Sequence, residues 1–107
     1  MKPGAIVIIN LREPSEKYWG VLRDLQPFGL TLRCLNVTSF EDWTVSIARE
    51  TEPTLGLATI FFPMARLERM FLDERVGEVE SMSEAFERRV GRSVEDYLRE
   101  QGEYPIN

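Results

Sequence analysis

The sequence predicts a mainly β (α+β) fold: a small, strongly bent, five-stranded antiparallel barrel with an inserted helix and C-terminal helices. Three observations lead to this prediction. Short apolar segments rich in β-branched residues recur along the first 72 residues, with turn residues between them. One such segment stops at Pro63 and a new one begins at Leu67, a strand–turn–strand step that can complete the wall of a small barrel. The last third contains two helix-start signals.

Five strands are expected from the apolar pattern. Gly20, in the middle of the second strand, indicates sharp bending or a close approach of another backbone. In the third strand Leu30, Leu32 and Cys34 face inward and Arg33 faces outward, because side chains alternate along a strand. A tight hairpin at residues 26–29 joins these two strands. The expected strands are residues 5–11, 17–25, 30–37, 57–62 and 67–72.

An inserted helix is expected over residues 39–50. Ser39 is its predicted N-cap, with Asp42 in capping-box position. Phe40 and Trp43 begin an apolar stripe at helical spacing, and residues 52–54 are expected to end the helix.

Two shorter helices are expected after an acidic linker at residues 73–80. Ser81 with Glu84 forms one capping box, and Ser93 with Asp96 forms another. Gly91 lies between them and is a suitable helix C-cap. We therefore expect one domain, in which residues 1–74 form the barrel and residues 75–107 form the acidic linker and two-helix extension.

Composition and charge restrict the possible functions. The 107 residues include no histidine and one cysteine, which excludes Ser-His-Asp and Cys-His catalysis and Cys/His zinc sites. The net charge of −5 lies in residues 73–107, and no strongly basic stretch suggests nucleic-acid binding. No long apolar segment or secretory signal is visible. We expect a non-enzymatic, cytoplasmic protein with no cofactor, no metal and no membrane contact.

Residues 20–32, with the sequence Gly-Val-Leu-Arg-Asp-Leu-Gln-Pro-Phe-Gly-Leu-Thr-Leu, resemble the first signature of Sm-like proteins. The resemblance implies a small barrel of the Sm-like or SH3-like type and ring-like assembly. The RNA-binding Asp and Asn of that family would fall near Gln26 and Gly29, which differ. The family's second signature is replaced by residues 63–66, Pro-Met-Ala-Arg, so RNA binding is not carried over to any residue.

Residues 83–98 show a second, local resemblance, to the closing helix-turn-helix of AraC-type regulators. They contain the pattern Phe-x-Arg-x-x-Gly-x-Ser followed by a later Tyr. Those regulators use two such motifs, whereas this chain has one, and Glu84 and Glu87 would repel phosphate. DNA binding by this segment is therefore not favoured.

Two sets of side chains are candidates for binding. Four arginines on the strands and the closing turn form a candidate nucleic-acid or anion face, although the same residues can simply keep the surface polar: Arg23, Arg33, Arg66 and Arg69. The aromatic residues as a group exceed what a small barrel easily buries, and four of them form a candidate oligomer or partner surface: Phe28, Phe61, Phe62 and Trp43.

Other polar groups have simpler explanations. Arg88, Arg89 and Arg92 are expected to pair with acidic residues at helical spacings, namely Glu84, Glu87, Glu95 and Asp96. Four carboxylates could attract a divalent cation but fit a solvated linker better: Asp73, Glu74, Glu78 and Glu80. Cys34 is expected to be a small core residue.

We therefore expect an interaction or assembly module that forms a homo-oligomer. Its C-terminal helices either contact a protein partner or fold back on the barrel. The alternative is an Sm-like RNA-binding protein that uses the four arginines. An enzyme is a third possibility and would need buried carboxylates such as Asp24 or Glu68 in a cleft.

Overall fold

The computed structural model describes residues 1–50 and 55–104, which form one antiparallel five-stranded sheet and three α-helices. The strands are β1 (Ile6–Leu11), β2 (Glu16–Gln26), β3 (Gly29–Asn36), β4 (Ala58–Pro63) and β5 (Leu67–Leu72). The helices are α1 (Phe40–Ala48), α2 (Met82–Val90) and α3 (Val94–Glu100). The α+β class, the five strands and the inserted helix are as the sequence predicts.

The strand order is β4-β3-β2-β1-β5, so two strands that are consecutive in sequence lie at opposite edges of the sheet. A 3₁₀ turn, Met64–Arg66, joins them. Three residues span on the order of 10 Å, so the sheet must curl until its edges come close at this turn. In the described residues no ladder joins β4 to β5, so the predicted bent barrel is open between these two strands. The 3₁₀ turn redirects the chain, whereas a tight hairpin would have paired the two strands.

One face of the curled sheet encloses an inner core. Residues from all five strands contribute to it, including Ile9 of β1, Leu22 of β2, Phe62 of β4 and Met70 of β5. The rings of Tyr18 and Phe62 lie 5.0 Å apart although β3 separates their strands. This contact across β3 is consistent with the curl, and the inward orientation predicted for the third strand is confirmed.

The opposite face, called the outer face below, is covered by the helices. Trp19 and Val21 of β2 pack there with α1 and with Phe86, Val94 and Leu98 of the C-terminal helices, and all five side chains are fully or almost fully buried. The C-terminal helices therefore pack on the sheet of their own chain. The apolar side chains of the helix-turn-helix-like segment 83–98 are used for this packing.

The helix ends agree with the capping signals in two cases of three. Ser81 and Glu84 form the predicted reciprocal capping box, and Ser93 accepts from the Asp96 amide at 3.1 Å, which is one half of the second predicted box. Ser39 makes no capping bond, because a 3₁₀ turn, Val37–Ser39, precedes α1 and is capped instead by Asn36. The helix ends at Ala48, and the end predicted at residues 52–54 lies outside the described residues.

The segment predicted as a linker is tied to the fold at one end. The Asp73 carboxylate accepts hydrogen bonds from Trp19 Nε1 (2.9 Å), from the backbone amides of Met82 (2.8 Å) and Ser83 (2.7 Å), and from Ser83 Oγ (2.6 Å). Further along, Val76 and Val79 exchange two backbone hydrogen bonds and form a short turn. Residues 73–80 thus connect the sheet to α2 through an ordered turn.

Candidate interaction surface

The edge strands β4 and β5 each have one side that no other strand of the described residues pairs with. Most of their residues are exposed. Strand β5 carries Glu68 and Arg69, whereas β4, with the sequence Ala-Thr-Ile-Phe-Phe-Pro, carries no charge. Sheets commonly protect an exposed edge with charged residues, proline or a covering element. Of these protections, the sequence of β4 offers the single proline at its end.

Hydrogen bonding fixes which amides of β4 point outward from the sheet. Met64 N donates to Phe28 O at 2.9 Å, and bonded and non-bonded pairs alternate along an antiparallel ladder. With the observed register, Thr59 and Phe61 fall in the non-bonded pairs. Their backbone N–H and C=O groups therefore point to the free side.

The same argument applies to β5. Asp73 N donates to Ile6 O at 3.0 Å and sets the alternation along the β1–β5 ladder. The backbone groups of Met70 and Leu72 consequently point to the free side. Each edge thus presents two residues whose backbone groups are free to pair with a further strand.

An exposed pair of aromatic rings lies beside the β4 edge. Phe28, in the β2–β3 hairpin, is 69% exposed, and Phe61 is 50% exposed. Their ring centroids are 6.1 Å apart. Phe61 pairs with Thr31, whose neighbours Leu30 and Leu32 face the inner core, so the Phe61 ring lies on the outer face. This pair, Phe28 and Phe61, is called the aromatic knob below.

The other two aromatic candidates lie inside the molecule. Phe62 is buried in the inner core, and Trp43 is buried against Trp19, Phe40 and Phe86 on the outer face. Adjacent strand residues face opposite sides, so burying Phe62 leaves Phe61 facing outward. The structure therefore divides the predicted aromatic surface into an exposed pair and a buried pair.

A small apolar depression lies beside the β5 edge. It has a volume of about 160 Å³ and lies between Phe71 and the exposed valines of the 76–79 turn, which are 68% (Val76) and 71% (Val79) exposed. Phe71 pairs with Ile8, which packs against the outer core, so the depression lies on the outer face. It is called the valine notch below. Its remaining lining residues are Ile8, Leu72, Asp73, Glu74, Glu80, Ser81 and Met82.

Arg23 and Arg33 lie together and share one carboxylate. Arg33 binds Glu103 in a bidentate manner, with Nε–Oε2 at 2.8 Å and Nη2–Oε1 at 2.9 Å. Arg23 Nη2 lies 3.3 Å from Glu103 Oε2. The Arg33 hydrogen bond is the main reason that the pKa of Glu103 is lowered below its ordinary value. The C-terminal segment thus places one carboxylate against two guanidinium groups and reduces the positive charge of this part of the predicted anion face.

Arg66 and Arg69 lie elsewhere on the sheet. Arg66 donates to Glu16 Oε1 at 3.1 Å and to the carbonyl oxygens of Arg12 and Pro14. Arg69 lies opposite Asn10 and donates to its amide oxygen through Nε at 2.8 Å, in the amide orientation that satisfies both groups. The structure therefore brings Arg23 and Arg33 together at Glu103, whereas Arg66 and Arg69 each have other partners within the chain.

The arginines of α2 and the following turn also pair with carboxylates, as expected, but with different ones. Arg88 pairs with Glu80 at 2.6 Å, and Arg92 pairs with Glu100 at 2.7 Å. Arg89 lies 3.9 Å from Glu41 of α1. The predicted partners at helical spacing are replaced because the preceding turn and a neighbouring helix bring other acidic residues into reach.

The remaining candidates take structural positions. Asp73 binds the start of α2, and Glu80 binds Arg88. No group of three or more potential metal ligands occurs in the described parts of the chain. Cys34 is fully buried in the inner core, and burial raises the pKa of its thiol to about 12. Asp24 accepts a hydrogen bond from Gln26 at an exposed position, and Glu68 is exposed on β5.

Sequence reasoning missed Val76, Val79 and Glu103. A signal for the valines was available: Val-x-x-Val around Gly77 inside an acidic run places two β-branched residues about a turn. No comparable signal marked Glu103. It is one of ten acidic residues in residues 73–107, and its partners lie 70 and 80 positions away in the chain.

Comparisons with known proteins add no family assignment: no family model matches the chain, and no significant match is found among curated proteins or solved structures. None of the helices in the described part of the chain has the length and apolar character needed to cross a membrane. The described residues are therefore characterised by their architecture, an open five-stranded sheet with three helices on its outer face and two edge strands, β4 and β5, that each pair with one neighbour.

Proposed function

We propose that this protein is a non-enzymatic assembly module that associates with copies of itself through the free edges of its sheet. The observation that carries the proposal is the β4 edge. It is an exposed, uncharged six-residue strand with free backbone groups at Thr59 and Phe61, and the aromatic knob lies beside it. Such an edge presents free N–H and C=O groups that can pair with a strand of another chain.

The second edge supports a copy of the same chain as the partner. Strand β5 has the same length as β4, six residues, and also has free backbone groups. Pairing β4 of one copy with β5 of another would continue the sheet and satisfy both edges with one type of contact. The curled sheet and the 3₁₀ turn between β4 and β5 also support the likeness to Sm-like and SH3-like small barrels.

The arginine contacts do not favour the alternative of RNA binding. Phosphate binding requires cationic groups that can exchange a counterion for a phosphate. Arg23, Arg33 and Arg66 already contact carboxylates, and Arg69 contacts Asn10 and the ring of Phe71. RNA binding is therefore the less favoured function.

The test is the mass of the protein in solution, measured by size-exclusion chromatography with multi-angle light scattering. We expect a defined multimer of the 12.4 kDa chain whose mass does not change when single-stranded RNA is added at low salt. A monomer at all accessible concentrations would overturn the proposal. An RNA complex that dissociates as salt increases would support the nucleic-acid alternative instead.

Edge-blocking variants test the role of the strands. Thr59→Pro removes a free edge N–H from β4, and Leu72→Pro does the same on β5, while the ladders to β3 and β1 keep their bonds. We expect each variant to lose the multimer. Thr59→Ala, which keeps the amide, is the matched control for β4 and should assemble normally, whereas Leu72→Ala, which keeps the amide but shortens a side chain that lines the valine notch, should assemble better than Leu72→Pro. Equal assembly of the proline and alanine variants would exclude strand pairing as the contact.

A further inference from the structure

The two valines of the valine notch are exposed, and the fold does not require this exposure. Val76 and Val79 are among the most exposed apolar side chains of the described residues, although the turn that carries them is held by two backbone hydrogen bonds. An exposed apolar patch rimmed by polar residues commonly marks an interaction site. The rim here is acidic and includes Glu74 and Glu80.

We propose that the valine notch receives the aromatic knob of a second copy of this chain, so that assembly is head-to-tail. This inference rests on the proposed function and names the side-chain contact that accompanies strand pairing. One ring of the Phe28–Phe61 pair fills the notch, and the other covers its rim.

Size supports this occupant. An apolar cavity of about 150 Å³ accommodates one benzene ring, and the notch has a volume of about 160 Å³. Phe28 is the more exposed ring of the knob and lies in the turn between β2 and β3. The notch therefore has room for one phenyl ring.

The position on the sheet also supports this occupant. Phe61 and Phe71 both lie on the outer face, one at each edge. Every neighbouring pair in the sheet is antiparallel, so the two edge strands β4 and β5 run in the same direction. Parallel pairing of β4 with β5 of a neighbour therefore keeps the outer faces of both copies on one side and brings the knob to the side that holds the notch, whereas antiparallel pairing would turn one copy over.

Charge is compatible with the contact. Residues 55–67, which contain β4 and the turn that follows it, include no acidic residue and one arginine. The knob side thus brings no carboxylate from this segment to the acidic rim of the notch, and repulsion between like charges is avoided.

Symmetry favours head-to-tail contact over a two-fold dimer. A two-fold dimer through β4 would leave every notch exposed. A two-fold dimer through β5 would leave every knob exposed. A heterologous contact covers both surfaces with one interface and closes into a ring when the rotation between copies permits it.

Single substitutions test the inference. Val79→Asp places a carboxylate in the notch at a position where the exposed side chain contributes little to the fold, and Phe28→Lys removes the outer ring of the knob. We expect each variant to be folded by circular dichroism and to elute at the mass of one chain. Gln101→Glu, which adds one negative charge at an exposed site on another part of the molecule, is the matched control and should assemble like the unchanged protein.

Mixing the two variants gives the decisive result. The Val79→Asp chain keeps its knob, and the Phe28→Lys chain keeps its notch, so a head-to-tail contact predicts that an equimolar mixture forms a heterodimer of twice the single-chain mass. Variants that both remain monomeric after mixing would overturn the inference. A Val79→Asp variant that assembles normally would also overturn it while leaving self-assembly intact, whereas a monomeric unchanged protein would overturn the proposed function itself.

Discussion

At the scale of single residues, Gly20 shows how one missing side chain permits the bend of the sheet. A β-carbon at this position would lie 2.4 Å from Arg33 O and 2.5 Å from Cys34 Cβ. Both contacts are too close for real atoms, and one of them is to backbone that no rotamer change can move. Gly20 therefore lets β2 and β3 approach more closely than any other residue would allow.

We predict that Gly20→Ala destabilises the protein by about 2 kcal/mol, the range typical of overpacking a dense core. Urea unfolding followed by circular dichroism measures this difference. Gly56→Ala is the control, because a β-carbon there would meet no atom within 4 Å, and its effect should remain within about 0.5 kcal/mol. Equal stability of the two variants would contradict the close approach at Gly20.

At the scale of secondary-structure elements, Asp73 joins β5, β2 and α2. It follows the last residue of β5, binds the indole N–H of Trp19 in β2, and accepts from the first two amides of α2. A carboxylate at a helix N-terminus satisfies amides that have no partner within the helix and interacts favourably with the helix dipole. One side chain thereby sets the position of α2 on the outer face.

Asp73→Ala should lower the free energy of unfolding by about 3 kcal/mol, because the fully buried Trp19 indole N–H loses its acceptor. Chemical denaturation of the variant and of Glu74→Ala provides the comparison. Glu74 is the adjacent exposed carboxylate, and its removal should have little effect. Stability equal to that of the unchanged protein would show that the Asp73 contacts do not support the fold.

At the scale of the whole molecule, Glu103 fixes the end of the chain to the middle of the sheet. It lies after α3 and binds Arg23 on β2 and Arg33 on β3. Its pKa is lowered, chiefly by the Arg33 hydrogen bond. The unfolded chain therefore binds a proton at this residue at higher pH than the folded chain does. The Glu103 charge therefore stabilises the folded state fully at pH values above the ordinary glutamate pKa of about 4.3. This stabilisation is lost as the pH falls through the lower pKa that Glu103 has in the folded protein.

We predict that Glu103→Gln reduces stability by about 1 kcal/mol at neutral pH, as for a partly exposed ion pair. The difference from the unchanged protein should shrink as the pH decreases toward about 3. Thermal unfolding over this pH range measures both effects. Glu100→Gln is the control. Glu100 pairs with Arg92 and is more exposed than Glu103, so a smaller change in stability is expected. A stability difference that does not depend on pH would contradict the assignment to the Glu103 charge.

The sequence by itself determined the features that depend on local spacing. Alternating side chains identified the inward residues of β3, Pro63 and Leu67 marked the turn between β4 and β5, and Ser81 with Glu84 marked the start of α2. It also grouped Phe28 with Phe61 and Arg23 with Arg33 as candidates, but it included Phe62, Trp43, Arg66 and Arg69 in the same groups.

The tertiary structure decided which members of each group share a surface and which strand edges stay free. Spacing along the chain shows that Phe61 and Phe62 face opposite sides, but only the curl of the sheet determines which side is buried. The pairing of Glu103 with arginines 70 and 80 residues away, and the Val76–Val79 turn beside Phe71, depend on how the chain returns to the sheet. Such long-range contacts leave no periodic signal in the sequence, because their geometry is set by packing between distant elements.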